Sequence, residues 1–157
     1  MRFSTGVAAG LSALAILASA VPAQAGPGAA SGDDAEKVRR LDIMLMVSAL
    51  RCRNTSDGFQ TDYDQFSSAH LSELNASAGV LKRSLEANYG ATGAKRALDK
   101  ISTSMANSYG TGHPWLNCAE LKQATQSLAQ NRAPGALLAA ADVLLGDSGR
   151  ASLTAAY

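Results

Sequence analysis

The sequence has few aromatic residues, few cysteines and almost no excess of charge of either sign. Only 5% of the 157 residues are aromatic, two are cysteines, and 14 Lys and Arg stand against 13 Asp and Glu, a formal net charge of +1. A protein that binds a phosphate backbone needs a strongly positive surface, so this balance argues against nucleic acid as a partner. The sequence also has no motif of a serine hydrolase, zinc protease, phosphate loop or dinucleotide site. Those classes therefore have no support.

The first 25 residues have the pattern of a secretory signal peptide. Arg2 precedes an uncharged apolar stretch from Gly6 to Ala20, and small residues occupy positions 23 and 25. We therefore expect cleavage after Ala25 and export to the periplasm or the medium. No later stretch is apolar over the roughly 20 residues that a transmembrane helix requires, so we expect no transmembrane segment after cleavage.

The rest of the chain is predicted to form one domain. Residues 26–32 are small and uncharged, which is typical of a flexible linker. Residues 33–145 are predicted to form a helical domain, and residues 146–157 a frayed tail. A mature chain of this length can bury one hydrophobic core but not two comfortable ones.

The first helix is predicted to run through the centre of the fold. It begins near Asp33, and its second half contains an uncharged run from Ile43 to Leu50. A helix that is apolar on all sides is normally buried, so we expect Met44, Leu45 and Val47 to be buried together.

A second, long helix is predicted over residues 59–88. Its apolar positions recur with a mean spacing of about 3.7 residues, which is the helical repeat. The pattern continues through Gly79, where a bend is the alternative, and Gly90 ends the helix. A third helix follows and ends at Gly110, and both terminal glycines are expected to adopt the left-handed cap conformation.

Two shorter helices complete the prediction. Asn117 is the N-cap of the fourth, because Glu120 then stands at the spacing of a capping box and Leu116 and Leu121 at that of a hydrophobic staple. After Pro134, residues 136–145 form a fifth helix. No segment has the two-residue period of a strand, so the predicted class is an all-α, single-domain bundle of four to five helices.

The two cysteines, Cys52 and Cys118, are predicted to form one disulfide. An even number of cysteines in an exported chain favours a structural bond. The alternative is a reactive thiol, because Arg51 and Arg53 flank one sulfur and the other lies in the first turn of a helix. We prefer the disulfide, since there is no Cys-x-x-Cys motif.

The two histidines have both structural and functional interpretations. His70 lies on the apolar face of the long helix, where a hydrogen-bonded core histidine is the usual outcome. A haem or metal would need a second ligand at a facing position, and core methionines such as Met44 more often serve packing. We therefore expect no metal and no cofactor.

A candidate binding site follows from the disulfide. Bonded cysteines have α-carbons within about 7 Å of each other, which would bring the two arginines to the amino end of the fourth helix. Guanidinium groups beside free helical N–H groups can bind an anion, and an aromatic side chain would offer a flat wall to a ring or sugar. The alternatives are that the arginines are solvated and that the loop only guides the chain into the fourth helix. The candidate ligand-binding residues are Arg51, Arg53, Tyr109, His113, Trp115 and Asn117.

Two segments carry a resemblance to a known group of proteins. The stretch from Arg39 to Arg53 and the stretch from Gly112 to Lys122 resemble small exported helical proteins of alphaproteobacteria, an uncharacterised family. The resemblance extends over most of residues 37–130. It implies pairing of the two cysteines, and it implies no activity, cofactor or catalytic residue.

Three classes of function remain open at this point. The first is a non-enzymatic protein of the cell envelope that binds a protein, a peptide or another envelope component. The second is a binding module for a small anionic ligand, with its site near His113 and Trp115. The third is a small secreted enzyme, which the apolar inward faces of the helices disfavour, and we expect no catalytic residue.

Overall fold

The computed structural model describes residues 31–146, and this part of the chain is all α-helical, without a strand. Five helices follow one another in sequence: α1 Gly32–Cys52, α2 Gln60–Ala69, α3 Leu71–Tyr109, α4 Cys118–Gln130 and α5 Ala136–Leu145. The predicted class is confirmed. The predicted signal peptide, residues 26–30 of the predicted linker and tail residues 147–157 lie outside the described residues.

Helix α1 is the central element, because each of the other four helices contacts it. A capping box fixes its start: the Ser31 side chain accepts from the backbone N–H of Asp34, and the Asp34 carboxylate accepts from the backbone N–H of Ser31. The helix therefore includes Gly32, which was predicted to be linker. Such caps contribute about 1 kcal/mol.

The uncharged run of α1 is buried on one side only. Met44 and Leu45 are fully buried, as predicted, and Val47 is partly buried against the core. Met46 and Leu50, however, are 36% and 43% exposed. The expectation that this half of the helix is buried on all sides is wrong, since the other helices cover only part of its circumference.

The predicted long helix is broken at His70, where α2 ends and α3 begins. His70 has φ −110° and ψ 13°, and its backbone N–H donates to the carbonyl oxygen of Phe66. Its ring Nε2 lies 2.9 Å from the carbonyl oxygen of Leu128 in α4, so a contact with another helix holds the turn. Gly79, the bend considered from the sequence, is an ordinary helical residue of α3. The prediction of one helix over residues 59–88 is therefore wrong.

Helix α3 consists of two arms joined at Gly90, which has φ 66° and ψ 169°. The first arm spans residues 71–89 and the second residues 91–109. Leu85 of the first arm and Ile101 of the second line the same groove, although a straight helix would hold them about 24 Å apart. The arms therefore fold back on each other, and we call this unit the α3 hairpin.

The core has two parts, and α1 contributes to both. The main core joins α1, α2, α4 and α5 around fully buried side chains such as Phe59, Phe66 and Leu137. A second cluster lies inside the α3 hairpin, where Ala35 packs among apolar side chains of both arms. Its buried members are Ala35, Leu81, Leu85 and Ala94.

The remaining boundaries agree closely with the sequence pattern. The Asn117–Glu120 capping box is present at the start of α4, and Leu116 and Leu121 are both buried. The end of α3 differs from the prediction in one respect. Gly110 was expected to adopt the left-handed cap conformation, but its φ is −60°. The glycine of this loop with a positive φ is Gly112, at 115°.

The Cys52–Cys118 disulfide is present, with an α-carbon separation of 5.9 Å. It joins the last residue of α1 to the first residue of α4. None of the helices within residues 31–146 has the length and hydrophobicity needed to cross a lipid bilayer.

Gly90→Ala is expected to lower the free energy of unfolding by about 1–3 kcal/mol, because its backbone conformation is accessible almost only to glycine. Beyond the adjoining backbone, no atom lies within 4 Å of the added Cβ, so the cost is conformational and not steric. Urea denaturation measures it.

Gly79→Ala is the matched control for this experiment. Its backbone is helical and its added Cβ meets only the end of the Arg83 side chain. This substitution is expected to stabilise the protein by about 0.4–1 kcal/mol. Equal effects of the two substitutions would contradict the hinge at Gly90.

Candidate functional site

The segments that carry the predicted binding residues are joined at one end of the bundle by the Cys52–Cys118 bond, and we call this the disulfide end. Three aromatic rings lie there, each in contact with the next. The ring of Tyr109 stacks on that of His113 with a centroid distance of 6.0 Å, and His113 meets Trp115 edge-on at 4.7 Å. The disulfide holds the start of α4 beside them.

His113 is fully engaged by the protein's own backbone. Its Nδ1 accepts from the backbone N–H of Leu116 at 3.1 Å and from that of Trp115 at 3.4 Å. Its Nε2 therefore carries the proton and donates to the carbonyl oxygen of Leu144 at the end of α5, at 3.0 Å. One imidazole thus joins the loop after α3, the entry to α4 and the end of α5.

Burial lowers the pKa of His113 below its ordinary value, and its bond to the Leu144 carbonyl opposes this only in part. The neutral ring is also what the hydrogen bonds require, since a proton on Nδ1 would face two N–H donors. His113 therefore has no free nitrogen to offer a ligand.

The other predicted site residues have mixed roles. Arg51 donates to the carbonyl oxygen of Gly110 at 3.3 Å and lies against Gly112, where a Cβ would come within 3.2 Å of its Nε. Arg53 is exposed. Asn117 uses its side chain as the N-cap of α4, whose amino end already holds the carboxylate of Glu120. The two arginines keep donors for a ligand, and the buried indole Nε1 of Trp115 has no hydrogen-bond partner within residues 31–146.

A half-buried polar network that the sequence did not indicate lies between α1, α2 and α3. The Asp42 carboxylate accepts from the Tyr63 hydroxyl at 3.0 Å and from Arg39 at 3.3 Å. Burial raises the pKa of Asp42 and also that of Tyr63. The network lines a small cavity of about 180 Å³. Asp42 stands between Leu41 and Ile43, and a carboxylate inside an apolar stretch was the available signal.

A larger concavity runs between α1 and the α3 hairpin, and we call it the hairpin groove. Its volume is about 390 Å³. Its floor is apolar, with Leu85 and Met105 buried and Ile101 half-buried. The side chains that line it are those of Glu36, Arg40, Leu85, Tyr89, Ala97, Lys100, Ile101, Ser104, Met105 and Ser108.

A second, wider cleft adjoins it between α1 and α5, with a volume of about 640 Å³. Its lining is mostly charged, and Lys37 and Asp142 form an ion pair of 2.7 Å between its two helices. The two concavities share Glu36 and Arg40, whose ion pair is 3.3 Å long. The hairpin groove differs from this cleft in its apolar lining residues, which are Leu85, Ala97, Ile101 and Met105 in the groove and Ala141 and Leu145 in the cleft.

Comparison of the chain with family models, curated proteins and solved structures found no match. The resemblance to exported helical proteins of alphaproteobacteria stays a prediction. What the chain binds has to be inferred from its own geometry.

His113 is expected to make the fold sensitive to acid. Its pKa is lowered from 6.5 on folding, so the unfolded chain takes up the proton first. The stability that His113 contributes is therefore complete above pH about 6.5 and is lost as the pH falls through the folded pKa. NMR titration of the ring should give a pKa below 6.5.

His113→Ala tests the same network by thermal denaturation at several pH values. It should cost about 1–3 kcal/mol near neutral pH, because it leaves the N–H groups of the loop without their acceptor. The variant should also lose part of the acid dependence of the wild type. An unchanged slope between pH 4 and 7 would contradict the assigned role.

Proposed function

We propose that the protein is an exported, disulfide-stapled helical protein of the cell envelope that acts by binding and not by catalysis. The observation that carries this proposal is the hairpin groove. Small-molecule sites are typically concavities of about 300–1,000 Å³ that are mostly apolar, with a few polar groups that orient the ligand. The groove has this size and composition. The disulfide accords with an oxidising compartment outside the cytoplasm.

The chemistry of the groove favours binding over catalysis. Its one carboxylate, Glu36, is already paired with Arg40. General acid–base catalysis needs a titrating group within reach of the reacting atoms, usually a histidine or a carboxylate with a displaced pKa. The groove offers instead an apolar floor with cations and hydroxyls at its rim. Such a surface holds a ligand without transforming it.

The test is to identify what co-purifies with the mature protein from its native envelope fraction, by mass spectrometry. Ala97→Phe should reduce the amount of bound compound, because the added ring occupies the floor of the groove. Ala87→Phe is the control, since Ala87 is exposed on the first arm and outside the groove.

Two results would contradict the proposal. One is the same bound compound at the same level in both variants, which would place the ligand elsewhere. The other is recovery of a protein partner alone, insensitive to Ala97→Phe, which would favour a protein-interaction role. Circular dichroism establishes that both variants are folded.

A second candidate is the anion site at the disulfide end, and one observation favours it. Arg51 and Arg53 flank the disulfide, and neither forms an ion pair with any residue in the described part of the chain. An anion held there would lie near the Tyr109–His113–Trp115 rings. Because His113 is engaged, the arginines would supply the recognition.

Trp115 fluorescence tests this second site during titration with inorganic phosphate and with glycerol phosphate. Binding should change the emission of the wild type, and the double variant Arg51→Ala, Arg53→Ala should weaken the response at least several-fold. The matched control is Arg83→Ala with Arg96→Ala, two exposed arginines of α3. A response that survives removal of Arg51 and Arg53 would exclude the site.

A further inference from the structure

The hairpin groove has a floor suited to an aliphatic chain. Both arms of α3 contribute apolar side chains to it, Leu85 from the first and Ala97, Ile101 and Met105 from the second. An extended aliphatic group laid on this floor would remove apolar surface of both molecules from water, which is the main source of affinity for such ligands. A small polar ion would gain nothing from these residues.

The charge of the groove is positive by one unit. Arg40 and Lys100 are its two cations, and Glu36 is its one acid. Arg40 forms an ion pair with Glu36, in which its Nη2 lies 3.3 Å from Oε1 of the carboxylate. A guanidinium has five N–H donors, so most of its donors stay available.

Lys100, unlike Arg40, forms no ion pair with any of residues 31–146. The positions three and four residues away on its helix hold no acidic residue; they are Arg96, Ala97, Thr103 and Ser104. Its exposed side chain therefore stands at the rim with no carboxylate of residues 31–146 within ion-pair distance, although Asp99 precedes it in the chain and Glu36 lines the same groove. That arrangement is complementary to a single negative charge on a ligand.

Hydroxyl groups and one aromatic ring complete the rim. Ser108 donates its hydroxyl to the carbonyl oxygen of Ser104, at 2.9 Å. Tyr89 lies directly before the Gly90 hinge and is 63% exposed. A large aromatic side chain left open to water beside an apolar floor is a natural contact for a ligand chain.

From these observations we propose that the hairpin groove binds a single-chain amphipathic monoanion, of the kind represented by a fatty acid. The aliphatic chain lies on Leu85, Ile101 and Met105, and the anionic head lies at the rim with Lys100 and Arg40. This inference rests on the proposed function, because it names the class of ligand for the same groove.

Isothermal titration calorimetry with decanoate, 1-decanol and acetate separates the two halves of the recognition. Decanoate, used below its micelle concentration, should bind most tightly. Decanol should bind more weakly because it lacks the charge, and acetate should not bind measurably because it lacks the chain. Ala97→Phe should weaken decanoate and decanol alike.

Variants at Lys100 test the role of the charge. Lys100→Gln should weaken decanoate about two- to five-fold, the range expected for one exposed charge pair, and leave decanol unchanged. Lys95→Gln is the matched control, since Lys95 is exposed on the same arm but does not line the groove. Lys100→Glu should reverse the preference, so that decylamine binds better than decanoate.

The outcomes distinguish failure of this inference from failure of the proposed function. If decanoate and decanol bind equally, and Lys100→Gln changes the affinity of neither, the anion assignment is overturned while the groove keeps its binding role. No binding of either compound overturns the amphiphile assignment, and co-purification of another compound sensitive to Ala97→Phe would then preserve the proposed function. Binding to phosphatidylglycerol vesicles without binding to monomeric decanoate assigns a membrane surface and also overturns it.

Discussion

Burial of one side of α1 is the interaction on which the rest of the structure depends. Leu41, Met44 and Leu45 have no exposed surface, and each such side chain contributes about 1.5–3 kcal/mol when it leaves water. Each of the other four helices packs against α1. At the opposite end of the helix, Ala35 has the same role for the α3 hairpin. Without α1, the buried side chains of both parts of the core would lose a surface against which they pack.

The carboxyl end of α1 is held in place by a covalent bond. The Ser31–Asp34 capping box lies within α1 itself and sets where the helix begins, whereas the disulfide holds its last residue against α4. Together with the burial of Leu41, Met44 and Leu45, the disulfide restricts sliding and rotation of the helix. Arg40 therefore stays at the groove, and Met46 and Leu50 stay exposed.

The features that the sequence predicted correctly are those that a few neighbouring residues determine. The capping box of Asn117 and Glu120 is a spacing of three residues, and α5 has the predicted bounds because Pro134 and Gly135 precede it. The disulfide was predictable from chemistry, since only one pairing of two cysteines exists. Gly90 was correctly identified as a point where the helix stops.

The features that were missed depend on contacts between distant parts of the chain. The apolar spacing of residues 63–85 continues unbroken through His70, so the pattern itself contains no sign of the turn there. The carbonyl oxygen of Leu128 holds that turn, and it comes from α4, 58 positions away. The hairpin groove was missed for the same reason. Leu85 and Ile101 belong to one surface only because the chain reverses at Gly90.

The same dependence on contacts between distant residues applies at the disulfide end. The cysteine pairing correctly brought Arg51 to the loop that contains His113. The sequence did not reveal that the imidazole would be used by backbone groups, because one of those groups is the Leu144 carbonyl at the end of α5. A loop rich in glycine with a histidine and a tryptophan has the composition of a binding site. Here the histidine instead links the loop after α3, the entry to α4 and the end of α5 through its hydrogen bonds.

The position of the disulfide has a consequence for the integrity of the protein after a protease cuts the chain. The bond encloses α2 and the whole α3 hairpin within a covalent ring of the main chain. A single cut anywhere in that ring, including the exposed turn at Gly90, leaves both fragments attached to each other through Cys52 and Cys118. The nicked protein remains one molecule, so its halves can stay packed on α1 until the bond is reduced.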